Sequence, residues 1–165
     1  GVEVVPPVLM DFFMQGFVNK KVNVDSKICD KDYSDFIYRW GYKIVRDEIE
    51  KFNEIACKFR YFTCFEDIFR QAEEARKVIS LNAQFGEGWL LPAEILSLAK
   101  KGVNHVISLQ PFGCIANHIV SKGIEKRVKE LVPHMNILSL DFDSGVSEVN
   151  IINRILLFTD KLKNR

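Results

Sequence analysis

Apolar residues along the chain follow two different rhythms, and the change between them is clearest from Val103 to Asn150. Two short apolar runs, Val106–Leu109 and Ile137–Leu140, each stop at a polar, glycine-containing loop. Between them Val120, Ile124, Val128 and Leu131 recur at helical spacing. This predicts strand, helix, strand: a βαβ unit with parallel strands. Both loops follow a strand, so they should lie along one sheet edge, beyond the strands' carboxyl ends, where open α/β sheets hold ligands. Cys114, Asn117 and His118 of the first loop are thereby expected to face Asp141, Asp143 and Ser144 of the second.

The remainder is mostly helical in rhythm. Val2–Val5 reads as a strand ending at Pro6 and Pro7, and a helix follows with Leu9, Phe12, Phe13 and Phe17 marking one face. Val8, Met10, Met14 and Val18 make its other sides apolar too, the pattern of a helix that is buried or meets a partner. Ser34 is placed to cap a helix running to about Lys58, with Ile37, Ile44, Val45, Ile49, Phe52 and Ala56 inward. A third helix is predicted over Phe65–Ile79. With no strand between them, these two helices break the βα alternation, and a helical insertion over about 32–79 is expected to cap one side of the sheet. Pro92–Lys101 returns to helix and closes at Gly102. A last helix begins at Ser147 and Glu148, with Val149, Ile152, Ile155, Leu156 and Thr159 inward. The reading is a single α/β domain over residues 1–165, three-layered, with a short parallel Rossmann-like sheet and helices on both faces.

Composition narrows the classes. A formal net charge of +1 gives no broad attraction to nucleic acid or to an anionic membrane. No apolar run approaches the ~20 residues of a membrane span. Thirteen phenylalanines in 165 residues, many in the first half, point to surface that a partner covers, and self-association through the aromatic N-terminal face is one form of it. The four cysteines form no CxxC pair, and no signal peptide is present, so a reduced, cytoplasmic setting is expected. The abrupt, strand-like start is read as that of a piece of a longer polypeptide.

Candidate chemistry gathers at the two loops. Cys114 follows a strand and a glycine near the start of a helix, where backbone N–H groups favour a thiolate ligand or nucleophile. The plain alternative is a small buried hydrophobe, the expected role of Cys29, Cys57 and Cys64 as structural thiols. Zinc on Cys114 and His118 lacks a second ligand pair. Asp141 and Asp143 are suited to a magnesium ion or a ribose hydroxyl, and equally to turn formation. In Gly86–Leu91, GEGWLL, Glu87 is a candidate acid or base and Trp89 a candidate ligand contact; a glycine turn locked by the indole is the simpler reading. Neither GxGxxG nor GxxxxGK[ST] occurs at the loops, so no dinucleotide or ATP site is indicated there.

GEGWLL, then Gln110–His118 (QPFGCIANH), then Asp141–Arg154 (DFDSGVSEVNIINR), with the opening VPPVLMDFFM and KFRYF, resemble one family. It is the acyl-CoA dehydratase activase-related proteins, relatives of the 2-hydroxyglutaryl-CoA dehydratase activator, in their C-terminal, dehydratase-subunit-like region. The resemblance implies a domain of a multidomain iron–sulfur protein used in ATP-driven electron transfer for 2-hydroxyacyl-CoA dehydration. It further implies that Cys114 supplies one thiolate to a [4Fe-4S] cluster completed by other domains. These residues alone are then expected to be inactive and to carry no cluster. The partners implied are those domains, a 2-hydroxyacyl-CoA dehydratase and a CoA thioester. A noncatalytic docking module, or an iron-free CoA- or nucleotide-binding domain, are the competing readings.

Overall fold

The computed structural model of the protein describes residues 2–163. It has a mixed α/β fold in the order α1 (Leu9–Asp25), α2 (Ser34–Ala56), α3 (Ile68–Ala75), α4 (Leu90–Lys100), β1 (His105–Pro111), a π-helix (Ala116–Ser121), α5 (Glu125–Leu131), β2 (Asn136–Phe142) and α6 (Glu148–Lys163). β1 and β2 pair in parallel, with His105 opposite Asn136 and Gln110 opposite Asp141. The predicted βαβ unit is therefore present, though its crossover is a π-turn followed by a short α-helix rather than one continuous α-helix.

One buried cluster joins Met14, Val18 and Val22 of α1 to Ile68, Ala72 and Ala75 of α3 and to Leu81, Trp89, Leu90 and Ala93. A second joins Ile95 of α4 to Val120, Ile124, Val128 and Met135, with Val106 and Ile137 of the strands packed against it. Helix α4 thus presents its first turns to the helical half and its later turns to the strands. Ile79 packs against both clusters and ties the halves together. The expected insertion is seen as α2 and α3, but these pack on α1 and α4, not as a cap over the sheet.

Local capping explains several boundaries. Ser34 is the first residue of α2 and not its cap: Asp32, ahead of it, accepts from the Ser34 N–H at 2.9 Å, and its own N–H donates to Asp35 at 2.7 Å. Asp67 caps α3, accepting from the Phe69 and Arg70 N–H groups at 2.9 and 3.2 Å, and this starts the helix later than predicted. Gly102, at φ +86°, ends α4 as expected.

Five readings need correction. Val2–Val5 is no strand; Val5 and the two prolines instead wall a cavity beside Cys64, Phe65 and Glu94. In α1 the inward face is Asp11, Met14, Gln15, Val18 and Val22, while Leu9 and Phe13 are 72% and 65% exposed. In α6 Phe158 is buried and Ile155 half-buried, whereas Val149, Ile152 and Leu156 face outward. Likewise Ile37, Ile44 and Phe52 of α2 are exposed. Finally, Cys57 and Cys64 are not separate structural thiols but a disulfide, because the turn between α2 and α3 brings their Cα atoms to 5.9 Å.

No helix among the described residues is long and apolar enough to cross a membrane.

Candidate functional site

The parallel register carries both loops to the same sheet edge. Gln110 lies opposite Asp141, and beyond it the Phe112 N–H donates to the Phe142 carbonyl at 2.9 Å, so the chains leave the strands side by side. Gly113, at φ +77°, reverses the first chain, and the Cys114 N–H closes the turn onto the Pro111 carbonyl at 3.1 Å. The His118 N–H then bonds the Cys114 carbonyl at 3.0 Å and leads into the π-helix.

On this rim the Cys114 thiol is free and half-buried, and the buried Asn117 side chain donates its amide N–H to Sγ at 3.0 Å. His118 places Nδ1 3.9 Å from Asp141 Oδ1. Lys122, one turn further on, donates to the same carboxylate at 2.8 Å. That hydrogen bond holds the Asp141 carboxyl below its ordinary pKa, so the rim carries a fixed anion beside an ammonium. Cys114, Asn117, His118 and Asp141 are thus brought together as the spacing predicts.

Polar side chains lie at the base of the first loop. Gln110 has no exposed surface and donates to Ser108 Oγ at 2.9 Å; Ser108 and Ser121 share a hydrogen bond of 2.7 Å. The Gln110 Oε1 accepts nothing among the described residues. This buried amide at the root of the first loop is a feature that sequence reasoning treated only as a strand stop.

The other predicted site residues separate from this group. Asp143 accepts from the Gly145 N–H at 2.7 Å and so forms its own turn; Ser144 is exposed beside it. Trp89 is a correction: its indole has no exposed surface and donates Nε1–H to Asn19 at 2.8 Å, so it locks α4 to α1 and offers no ligand face. Glu87 is half-buried in a turn held by the Trp89 N–H bond to the Ala83 carbonyl at 2.8 Å. The nearer link to the rim is Gly86, whose absent Cβ would lie 3.8 Å from that of Ala116 at the start of the π-helix.

A second gathering of ionisable groups was not foreseen. Asp11, Glu66 and Glu94 line a cavity between the N-terminal segment, α3 and α4. The signal available was a glutamate set in an apolar helix, LLPAEILSLA, where most positions are buried.

No protein-family model, curated protein or solved structure matches the chain.

No group of three or more His, Cys, Asp or Glu side chains among the described residues is arranged to hold a metal ion. With Cys57 and Cys64 paired, Cys29 and Cys114 are the thiols free to ligate. The donor set fits one ligand position, not a whole metal site.

Proposed function

We propose that this chain is a domain of an acyl-CoA dehydratase activase-related iron–sulfur protein of the cytoplasm, presenting Cys114 as one thiolate of a [4Fe-4S] cluster. The supporting observation is a free thiol on the strand-end rim with an amide N–H donated to its sulfur at 3.0 Å. Hydrogen bonds to a ligating sulfur are among the contacts that tune an iron–sulfur cluster. A four-iron cluster takes about four thiolates, so on this reading the others come from outside these residues. The cluster, when bound, would supply one-electron transfer at low potential. The residues here would hold one iron corner, with His118, Asp141 and Lys122 setting the charge around it. The three-layer Rossmann-like arrangement belongs to the same reading: α4, the π-helix and α5 on one side of the strands, and α6 reaching them through Arg154 to the Ser139 carbonyl at 2.7 Å.

The test is anaerobic reconstitution with iron and sulfide of the polypeptide that carries this domain. Cys114→Ser is expected to lose cluster iron and the broad visible absorption, while Cys29→Ser keeps both. Unchanged iron content in Cys114→Ser overturns the reading.

The noncatalytic docking module remains a second reading, because Phe13 and Trp40 present large aromatic surface at 65% and 60% exposure. On that reading self-association or partner binding weakens when Phe12, Phe13 and Trp40 become polar. Phe17, also on α1, is no fair probe, since it packs against Tyr38 and Tyr42.

A further inference from the structure

Between α2 and α3 the chain makes a loop closed by the Cys57–Cys64 disulfide, whose cysteines are 7 residues apart in sequence. Both cysteines are exposed, and so are Lys58, Phe59, Arg60 and Tyr61 between them. Thiol–disulfide exchange begins when a thiolate reaches one of the two sulfurs, so an exposed bond is the labile kind. The loop has few ties of its own. The Lys58 and Phe59 N–H groups continue the last turn of α2, and the Phe62 N–H bonds the Phe59 carbonyl at 3.2 Å. Phe59 and Tyr61 stand 69% and 72% exposed.

The contacts that hold α2 to the start of α3 do not depend on the cross-link. Asn53 of α2 donates its side-chain amide to the Phe65 carbonyl at 3.0 Å and accepts from the Phe65 N–H at 2.9 Å. The rings of Phe52 and Phe65 pack with centroids 5.5 Å apart. Lys101, just past α4, donates to the Cys64 carbonyl at 3.3 Å. Breaking the sulfur–sulfur bond therefore leaves both helices anchored and loosens residues 58–63. A cross-link over so short a loop also removes less chain entropy than one closing a long loop, so its loss is not expected to unfold the protein.

We propose that Cys57 and Cys64 are a reversible redox pair, locking the 58–63 loop when oxidised and releasing it when a dithiol reduces them. One thiolate of the dithiol attacks a protein sulfur, breaks the bond and forms a mixed disulfide. The second thiol of the reductant then displaces that sulfur and closes its own disulfide. Two electrons and two protons pass to Cys57 and Cys64, which become thiols. In a cytoplasmic setting a disulfide of this kind is ordinarily transient or redox-sensing, whereas a structural staple belongs to oxidising compartments. The setting is shared with the proposed function, but the pair needs neither Cys114 nor iron, so its failure and that of the cluster are read separately.

The probe is dithiothreitol, applied without denaturant to the protein isolated in air. N-ethylmaleimide labelling of Cys57 and Cys64, trypsin cleavage after Lys58 and Arg60, and far-ultraviolet circular dichroism are the readouts. Before reduction neither cysteine should be labelled. After it both should be, with the helical signal unchanged and cleavage after Lys58 and Arg60 faster by about tenfold. Oxidised glutathione should restore the unlabelled, slowly cleaved form. Cys57→Ser and Cys64→Ser should each be cleaved at the reduced rate with or without dithiothreitol, and each should leave the other cysteine open to labelling. Resistance of the bond to dithiothreitol in the folded protein overturns the proposal, and so does equal cleavage in both states. Loss of the helical signal on reduction would make the bond a structural staple and overturns it too.

Discussion

A side chain at Gly88 would collide with the Ala83 carbonyl, and the residue sits at φ +21°, where L side chains are strained. The turn it permits also delivers the Trp89 N–H to that carbonyl at 2.8 Å, and so seats the indole in the core. Gly88→Ala should therefore destabilise the protein by about 2 kcal/mol or more in urea unfolding. The neighbouring Glu94 gives a pH signature. Its proton is held up to about 8 in the folded chain against an ordinary value of 4.5, so the folded state carries an extra proton between those values. Raising the pH through that window removes the proton and leaves a charge in a poorly solvated place. Stability from this group should fall from about pH 4.5 to 8 and then level off, by on the order of 5 kcal/mol at most. Glu94→Gln should flatten that part of the unfolding profile and be more stable than the parent at pH 9. An equally steep fall in the variant would show that other groups carry it.

At the scale of elements, what the sequence makes legible depends on whether polarity and burial coincide. They do at the strand ends: apolar runs stop at Gln110 and Asp141, and the register sets these residues opposite each other. The rim was readable for that reason. They do not coincide in α1, where the buried stripe Asp11, Met14, Gln15, Val18, Val22 keeps helical spacing but includes two polar residues. Apolar side chains lie on nearly every side of that helix, so hydropathy alone selects the wrong face. Helix α6 fails similarly, with Val149, Ile152 and Leu156 turned outward. A paired substitution separates the two faces of α1. Val18→Ala should cost about 1–2 kcal/mol through lost packing, and Phe13→Ala less than about 0.5 kcal/mol. Comparable losses at both positions in denaturant unfolding would mean that Phe13 is covered in solution.

For the whole molecule, the sheet has two strands, and both Ile107 and Leu109 of β1 keep substantial exposed surface. Parallel sheets are ordinarily covered on both faces. That exposure accords with a domain that meets other protein at the strands, as the proposed shared cluster requires. The long helices, the GEGWLL turn and the strand-end loops could each be located from residues alone. The Cys57–Cys64 disulfide and the acceptor-lined cavity could not, since both depend on segments distant in sequence or on the path of a turn. The most direct measurement is alkylation of Cys114, mapped by mass spectrometry, before and after anaerobic cluster loading of the polypeptide carrying this domain. The account predicts that Cys114 is modified readily without iron and protected once the cluster is in place. Equal modification of Cys114 in the iron-loaded protein would contradict it.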